Sequence, residues 1–229
     1  MFFDPNYIIF VLLPALALSA LAQAWVRGAY HKWSKVPNSK RVTGQQTAQI
    51  LMRSGGISQV GLEMGKGELS DHYDPRAGVV RLSPGVATQP SVASMAIAAH
   101  EFGHVQQDQQ KSPLMALRAM LIPSATLGPQ LGIGLIIGGL ILNATGLAVV
   151  GLILFAGATV FTVVTLPVEL DASRRAMKLL RETGLIVNEQ DAAGAQAVLR
   201  AAAFTYVAAV AMSLLTLLYY AMLVFGRRN

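Results

Sequence analysis

The chain has 229 residues, 53% of them apolar and only 13% charged, and the charges are bunched rather than spread. That balance excludes an ordinary soluble domain, because several stretches reach the roughly 20 apolar residues that a bilayer span takes. Cysteine is absent, which excludes disulfides and thiolate metal sites. A tightly held metal must then use His, Asp or Glu. The formal charge of +6 comes without any aromatic-basic module, so nucleic acid is not expected as a partner. In such a chain Lys and Arg flank the spans and set their orientation.

Residues 1–26 read as an N-terminal transmembrane anchor, with an uncharged span at 8–26, IIFVLLPALALSALAQAWV. A signal peptide would carry a basic leading region, whereas MFFDPNY offers only Asp4. The basic residues follow the span, which predicts an uncleaved anchor with its N-terminus outside. Residues 27–122 form a polar α+β block. Thr43 and Gly44 open a helical run that stops at Gly55–Gly56. GLEMGKGELSDHY and GVVRLS read as two strands joined by DPRAG, with Pro75 in the turn. A helix follows over TQPSVASMAIAAHEFGHVQQDQ, with Thr88 or Gln89 as N-cap, Pro90 in its first turn and Pro113 as its latest end.

Residues 123–166 read as a transmembrane hairpin that turns at Asn143-Ala-Thr-Gly146, since 40 apolar residues make two spans. Its first arm carries Gly128/Gly132 and Gly134/Gly138 at a spacing that lets helices approach closely. Residues 167–203 hold an amphipathic helix, set off from the span by Pro167 and ending at Gly184, and then a connecting helix. Residues 204–229 supply a fourth span and end in GRRN. The expected fold class is mainly α: an integral membrane protein with about four transmembrane helices and a small α+β block.

One stretch carries chemistry. His100-Glu101-Phe-Gly-His104 places two of only four histidines four residues apart on a predicted helix. At that spacing both imidazoles leave one face about a turn apart and can share one Zn²⁺, with Glu101 beside them as general base. Composition alone would produce the pattern about 0.002 times in a chain of this length. Catalytic zinc takes three protein ligands and leaves the fourth position to water. His31 sits among Lys and Trp beside the first span, and Asp108 falls a turn too far along the helix. Glu169, one turn into the amphipathic helix, is the better third ligand. His72 and Tyr73 are candidates for stabilising an oxyanion, and the strand containing Val79, Val80 and Arg81 for an edge on which an extended peptide pairs.

AAHEFGH, a hydrophobic hairpin and then PVELDASRR together resemble the YugP-like neutral zinc metallopeptidases of bacterial membranes, and the resemblance covers nearly the whole chain. A more distant likeness is to the HtpX class of integral-membrane gluzincins, whose third zinc ligand is a glutamate on a later helix within E-[FY]-x-A-D. Here Ser173 stands at that aspartate's position, leaving Asp171 or Ser173 to support the ligand helix. The resemblance implies one zinc per chain on His100, His104 and Glu169, with Glu101 activating water. It implies an endopeptidase for polypeptides at the membrane surface, in quality control or maturation. The expected location is a bacterial plasma membrane, with the protein's partners being substrate and bilayer. Sixteen of the 18 Lys and Arg fall in segments 27–122 and 167–203, so the site is expected to face the cytoplasm. Two rival readings are a non-hydrolytic zinc scaffold and a metal transporter. The scaffold gives Glu101 no purpose, and the spans lack the mid-depth ionisable residue a transport path needs.

Overall fold

A computed structural model describes residues 4–58, 60–68 and 70–226. Arg227 and Arg228, the two arginines of GRRN, lie outside the described residues. The architecture is mainly α. In chain order the elements are α1 (Pro5–Ser34), α2 (Gly44–Ser54), β1 (Gly61–Met64), β2 (His72–Asp74), β3 (Val79–Leu82), α3 (Pro84–Thr88), α4 (Val92–Gln109), α5 (Pro113–Ile141), α6 (Thr145–Glu182) and α7 (Glu189–Gly226). Helices α1, α5, α6 and α7 are each long and apolar enough to cross a membrane.

The chain divides into two compact units. One comprises the described residues up to Gln23, Pro113–Pro167 and those from Thr205 onward. Its interior gathers Val11, Ile136, Leu140, Ala148, Leu152 and Val224 around Tyr219 and Tyr220. The hairpin turns where the sequence predicts, with Asn143 at φ 53°, a left-handed conformation that Asn tolerates. Of the two glycine pairs, only one makes a close approach. A Cβ on Gly128 or Gly132 would press on the backbone of α6, whereas Gly134 and Gly138 face open space. Helix α5 starts at Pro113, so its first turns take in residues 113–122, which the sequence assigns to the polar block.

The other unit is Ala24–Ser112 with Val168–Phe204. Its core packs α2, α4 and the start of α7 against the buried face of the sheet and against Ala176, Leu179 and Leu180 of α6. Thr43 and Gln46 cap α2 reciprocally, each side chain bonding the other's backbone N–H.

Four sequence expectations need correction. GLEMGKGELSDHY is two strands rather than one, because the glycines and Lys66 between Met64 and His72 form a turn. The sheet order is β1-β3-β2, with β1 parallel and β2 antiparallel to β3. The strand with Val79, Val80 and Arg81 is therefore central, and both of its edges are already paired. It cannot take a peptide by strand addition. Third, α4 is capped by Ser91, whose Oγ accepts from the Ser94 N–H at 3.1 Å. Thr88 instead ends the separate short helix α3, and Pro90 precedes the cap. Fourth, Pro167 lies inside α6 and does not separate two helices. A proline there removes one intrahelical bond, and tertiary packing on both sides keeps the helix running.

Candidate metal centre

Helix α4 is unusual in being buried almost all round. Val92, Ala93, Met95, Ala96, Ala98, Ala99, Phe102 and Val105 have no exposed surface. The alanines explain it: small side chains let neighbouring elements close on every face. The facing part of α6 presents Val168, Ala172, Ala176, Leu179 and Leu180, a buried stripe at three- and four-residue spacing. The two helices meet closely at Gly103 and Ala172. A Cβ on Gly103 would collide with the Ala172 carbonyl oxygen. His100 is three residues before this crossing on α4, and Glu169 three before it on α6. Each thus lies about one turn from the same point.

That crossing brings His100, His104 and Glu169 together, with one ligand atom of each within 4.8 Å of the others. Glu169 Oε2 is 3.3 Å from His100 Nε2 and 3.4 Å from His104 Nε2. Two atoms each about 2.0–2.1 Å from one zinc ion, at a tetrahedral angle, are separated by about 3.3 Å. Both separations from Glu169 match the edge of such a tetrahedron, and the third lies within 4.8 Å, so these residues are compatible with the ion. The imidazoles stand edge to face, 83° apart. His100 keeps 15% of its side-chain surface, His104 10% and Glu169 only 3%, so the cluster is largely enclosed and Glu169 is its deepest member.

The ring nitrogens turned away from this point are held. His104 Nδ1 is 2.9 Å from Gln107 Oε1. Gln107 Nε2 donates to the Val168 carbonyl at 2.8 Å and to Asp171 Oδ2 at 2.9 Å. A carbonyl and a carboxylate can only accept, so the amide's orientation is fixed and its oxygen faces His104. Nδ1 must then carry the proton, leaving the Nε2 lone pair for a metal. Ser173 Oγ lies 3.3 Å from His100 Nδ1, where its hydroxyl can accept a hydrogen bond from that ring. Asp171 reaches the centre only through Gln107, and is held by Arg175 Nε at 2.6 Å. Both Ser173 and Asp171 thus have places in the supporting layer, each under a different histidine.

Gln107 was not among the sequence candidates. Its signal was available, since it follows His104 by three residues and so lies on the same helix face. Gln107→Leu keeps the volume and removes the acceptor. Zinc affinity is expected to fall about 10–100-fold, the usual cost of losing such a partner, with helix content unchanged. A chelator competition titration reads this directly, and affinity within twofold of wild type would contradict it.

Glu101 is 6% exposed and its carboxyl has no hydrogen-bond partner among the described residues. Burial pushes it above the usual glutamate range, against the pull of His100 and His104. It lies outside the three-residue cluster.

The remaining sequence candidates are not among the three residues whose ligand atoms gather. Tyr73 donates its hydroxyl to Asp108 at 2.8 Å, and burial and that bond push its pKa up. His72 is exposed at the sheet edge, with Nδ1 2.8 Å from the Ser70 carbonyl oxygen. Arg81 ties the strands together on the same face, bonding Glu63 at 2.9 Å and Asp74 at 3.2 Å. Val80 is fully buried in the core, and Val79 pairs with Gly61 and Asp74.

Comparison with known proteins places this geometry in context. A family model described as "Putative neutral zinc metallopeptidase" matches residues 7–225. The protein named "Putative membrane protease YugP" from Bacillus subtilis (strain 168) is 38% identical over 221 residues, covering 96% of this chain and 98% of that one. No solved structure matches the chain.

Proposed function

The chain belongs to the neutral zinc metallopeptidase family, and from that membership we propose an integral-membrane endopeptidase of gluzincin type. It would hold one zinc per chain on His100, His104 and Glu169. The observation that supports this most is the gathering of the three side chains, with Glu169 at tetrahedral-edge distance from both imidazoles and the unbonded carboxyl of Glu101 on the same helix turn. A scaffold would need the first feature but not the second.

Zinc, when bound in such a site, supplies a Lewis acid that polarises a carbonyl and lowers the pKa of its water to about 7. The chain's residues do the rest. Gln107 and Ser173 orient the two imidazoles. Glu101 accepts the proton of the attacking water and returns it to the leaving amine. Its buried setting suits both transfers, because a raised pKa brings a carboxyl nearer to working pH. Polypeptides at the membrane surface are the proposed substrates, with quality control or maturation as the role. Metal analysis of the protein carrying His100→Ala, His104→Ala and Glu169→Ala together tests the ligand set. Zinc is expected at one per chain in wild type and none in the variant; stoichiometric zinc in the variant would remove the assignment.

The site is also proposed to face the cytoplasm of a bacterial plasma membrane. Lys and Arg accumulate in segments 27–122 and 167–203, and cytoplasmic loops carry that excess. The cysteine-free chain allows a direct test with single cysteines at Ser39, Thr145 and Asn188 and a membrane-impermeant thiol reagent on intact cells. Asn188 Nδ2 donates to Ser39 Oγ at 2.8 Å, so those two positions must behave alike. Only the Thr145 position is expected to react. Labelling at the other two instead would invert the orientation.

A further inference from the structure

We propose that α6 and the start of α7 form a binding site for the headgroup of an anionic phospholipid. A groove of about 550 Å³ runs between them, within one compact unit, and Ser173, the neighbour of His100, lies in its wall. Its charged lining is Arg174, Lys178, Arg181 and Arg200 against a single acid, Glu182. Lys178 is paired with Glu182 at 3.7 Å, and Arg174 leans on Asp171 at 3.6 Å. Arg181 and Arg200, both exposed, have no carboxylate partner among the described residues. Two guanidinium groups lining one groove without a carboxylate partner among the described residues offer planar, bidentate donors to a phosphate.

The apolar lining decides which phosphate. Leu170, Met177, Leu199 and Ala203 share the groove with the cations. Leu170 is 41% exposed, a large apolar side chain left open beside charges. It follows the apolar run that ends at 166 by one helical turn, and Ala203 immediately precedes the run that starts at 204. The apolar end of the groove is thus the end from which both helices run on into apolar sequence, and the cations lie one to three turns further along α6 and one turn along α7. A ligand with an acyl end and a phosphate end matches that polarity, as basic pockets at the cytoplasmic ends of spans do. A soluble phosphate uses only the cations, and an acidic peptide has no use for an apolar end that continues into the bilayer.

The test uses full-length protein in detergent and native mass spectrometry, so its readout is independent of hydrolysis. The probes are dihexanoyl-phosphatidylglycerol, dihexanoyl-phosphatidylcholine, inorganic phosphate and an acidic peptide. One phosphatidylglycerol should bind saturably per chain, in preference to phosphatidylcholine. Arg181→Gln with Arg200→Gln should weaken it about thirtyfold, from the stabilisation each basic residue gives near an anionic headgroup. Arg181→Lys with Arg200→Lys should retain most of the binding. Lys40→Gln with Arg53→Gln, which removes two exposed charges elsewhere, should leave it unchanged. Equal affinity for the two headgroups, or equal affinity in the Gln variant, would overturn the proposal. So would displacement by inorganic phosphate, which would mark a plain anion site, or by the peptide, which would mark a substrate groove.

Discussion

Glu101→Gln is expected to keep a full complement of zinc and to lose hydrolysis by about 10²–10⁴-fold, the usual contribution of a positioned general base. The metal should stay because the proposed ligand atoms are those of His100, His104 and Glu169, and Glu101 stands outside that set. Glutamine keeps the shape of the side chain but cannot accept and return a proton. The fold should hold at least as well as in wild type. Glu101 is 6% exposed with no hydrogen-bond partner among the described residues, and an amide costs less to bury than a carboxylate. Activity and stability are thus expected to move apart, as they do where a site is built at the expense of the fold. The measurement is cleavage of an unstructured polypeptide by purified protein at equal zinc content, beside thermal unfolding of the same samples. Cleavage within tenfold of wild type would show that another group activates the water. Loss of zinc together with activity would make Glu101 part of the metal site instead.

The parts of the molecule that the sequence made legible are those governed by local periodicity or by fixed chemical spacing. Four spans follow from runs of apolar residues, because a bilayer imposes one length on every segment that crosses it. The pairing of His100 with His104 follows from helix geometry alone. Glu169 needed two further steps: the coordination number of zinc and the family likeness. What could not be read is set by long-range contact. β1 joins the sheet beside β3, eighteen residues later, and nothing in either strand announces that register. Val79, Val80 and Arg81 therefore looked like an edge when they form the centre. His72 and Tyr73 have the right chemistry for an oxyanion donor, but Tyr73 spends its hydroxyl on Asp108, thirty-five residues away. Pro167 looked like a boundary because proline disfavours the helix interior, yet packing on both sides of it outweighs one lost bond. Gln107 was missed for a different reason. Its helix position was plain, but its role depends on Val168 and Asp171, which only the fold brings near.

Gly103 was missed in the same way, and it carries the second large expected effect. Gly103→Ala should cost about 1–3 kcal/mol of stability, the common range for overpacking, and should also empty the metal site. Within HEFGH the glycine reads as an unremarked spacer, and in a helix interior alanine is normally the better residue by up to about 1 kcal/mol. Here the preference reverses. The added Cβ would meet the carbonyl oxygen, carbonyl carbon and Cα of Ala172, all backbone atoms that cannot rotate away. The only relief is to move α6 off α4. A shift of about 1 Å suffices for the methyl, but metal ligands tolerate only about 0.2 Å in their distances. Glu169 rides on α6 and the two histidines on α4, so the shift opens both the 3.3 Å and the 3.4 Å separations at once. Packing loss and metal loss then come from one displacement. Gly134→Ala is the control, because a Cβ there meets nothing within 4 Å and the change should be neutral or mildly stabilising. Zinc content and thermal unfolding of the two variants separate the cases. If Gly103→Ala binds stoichiometric zinc and unfolds where wild type does, then the contact between α4 and α6 does not set the ligand geometry.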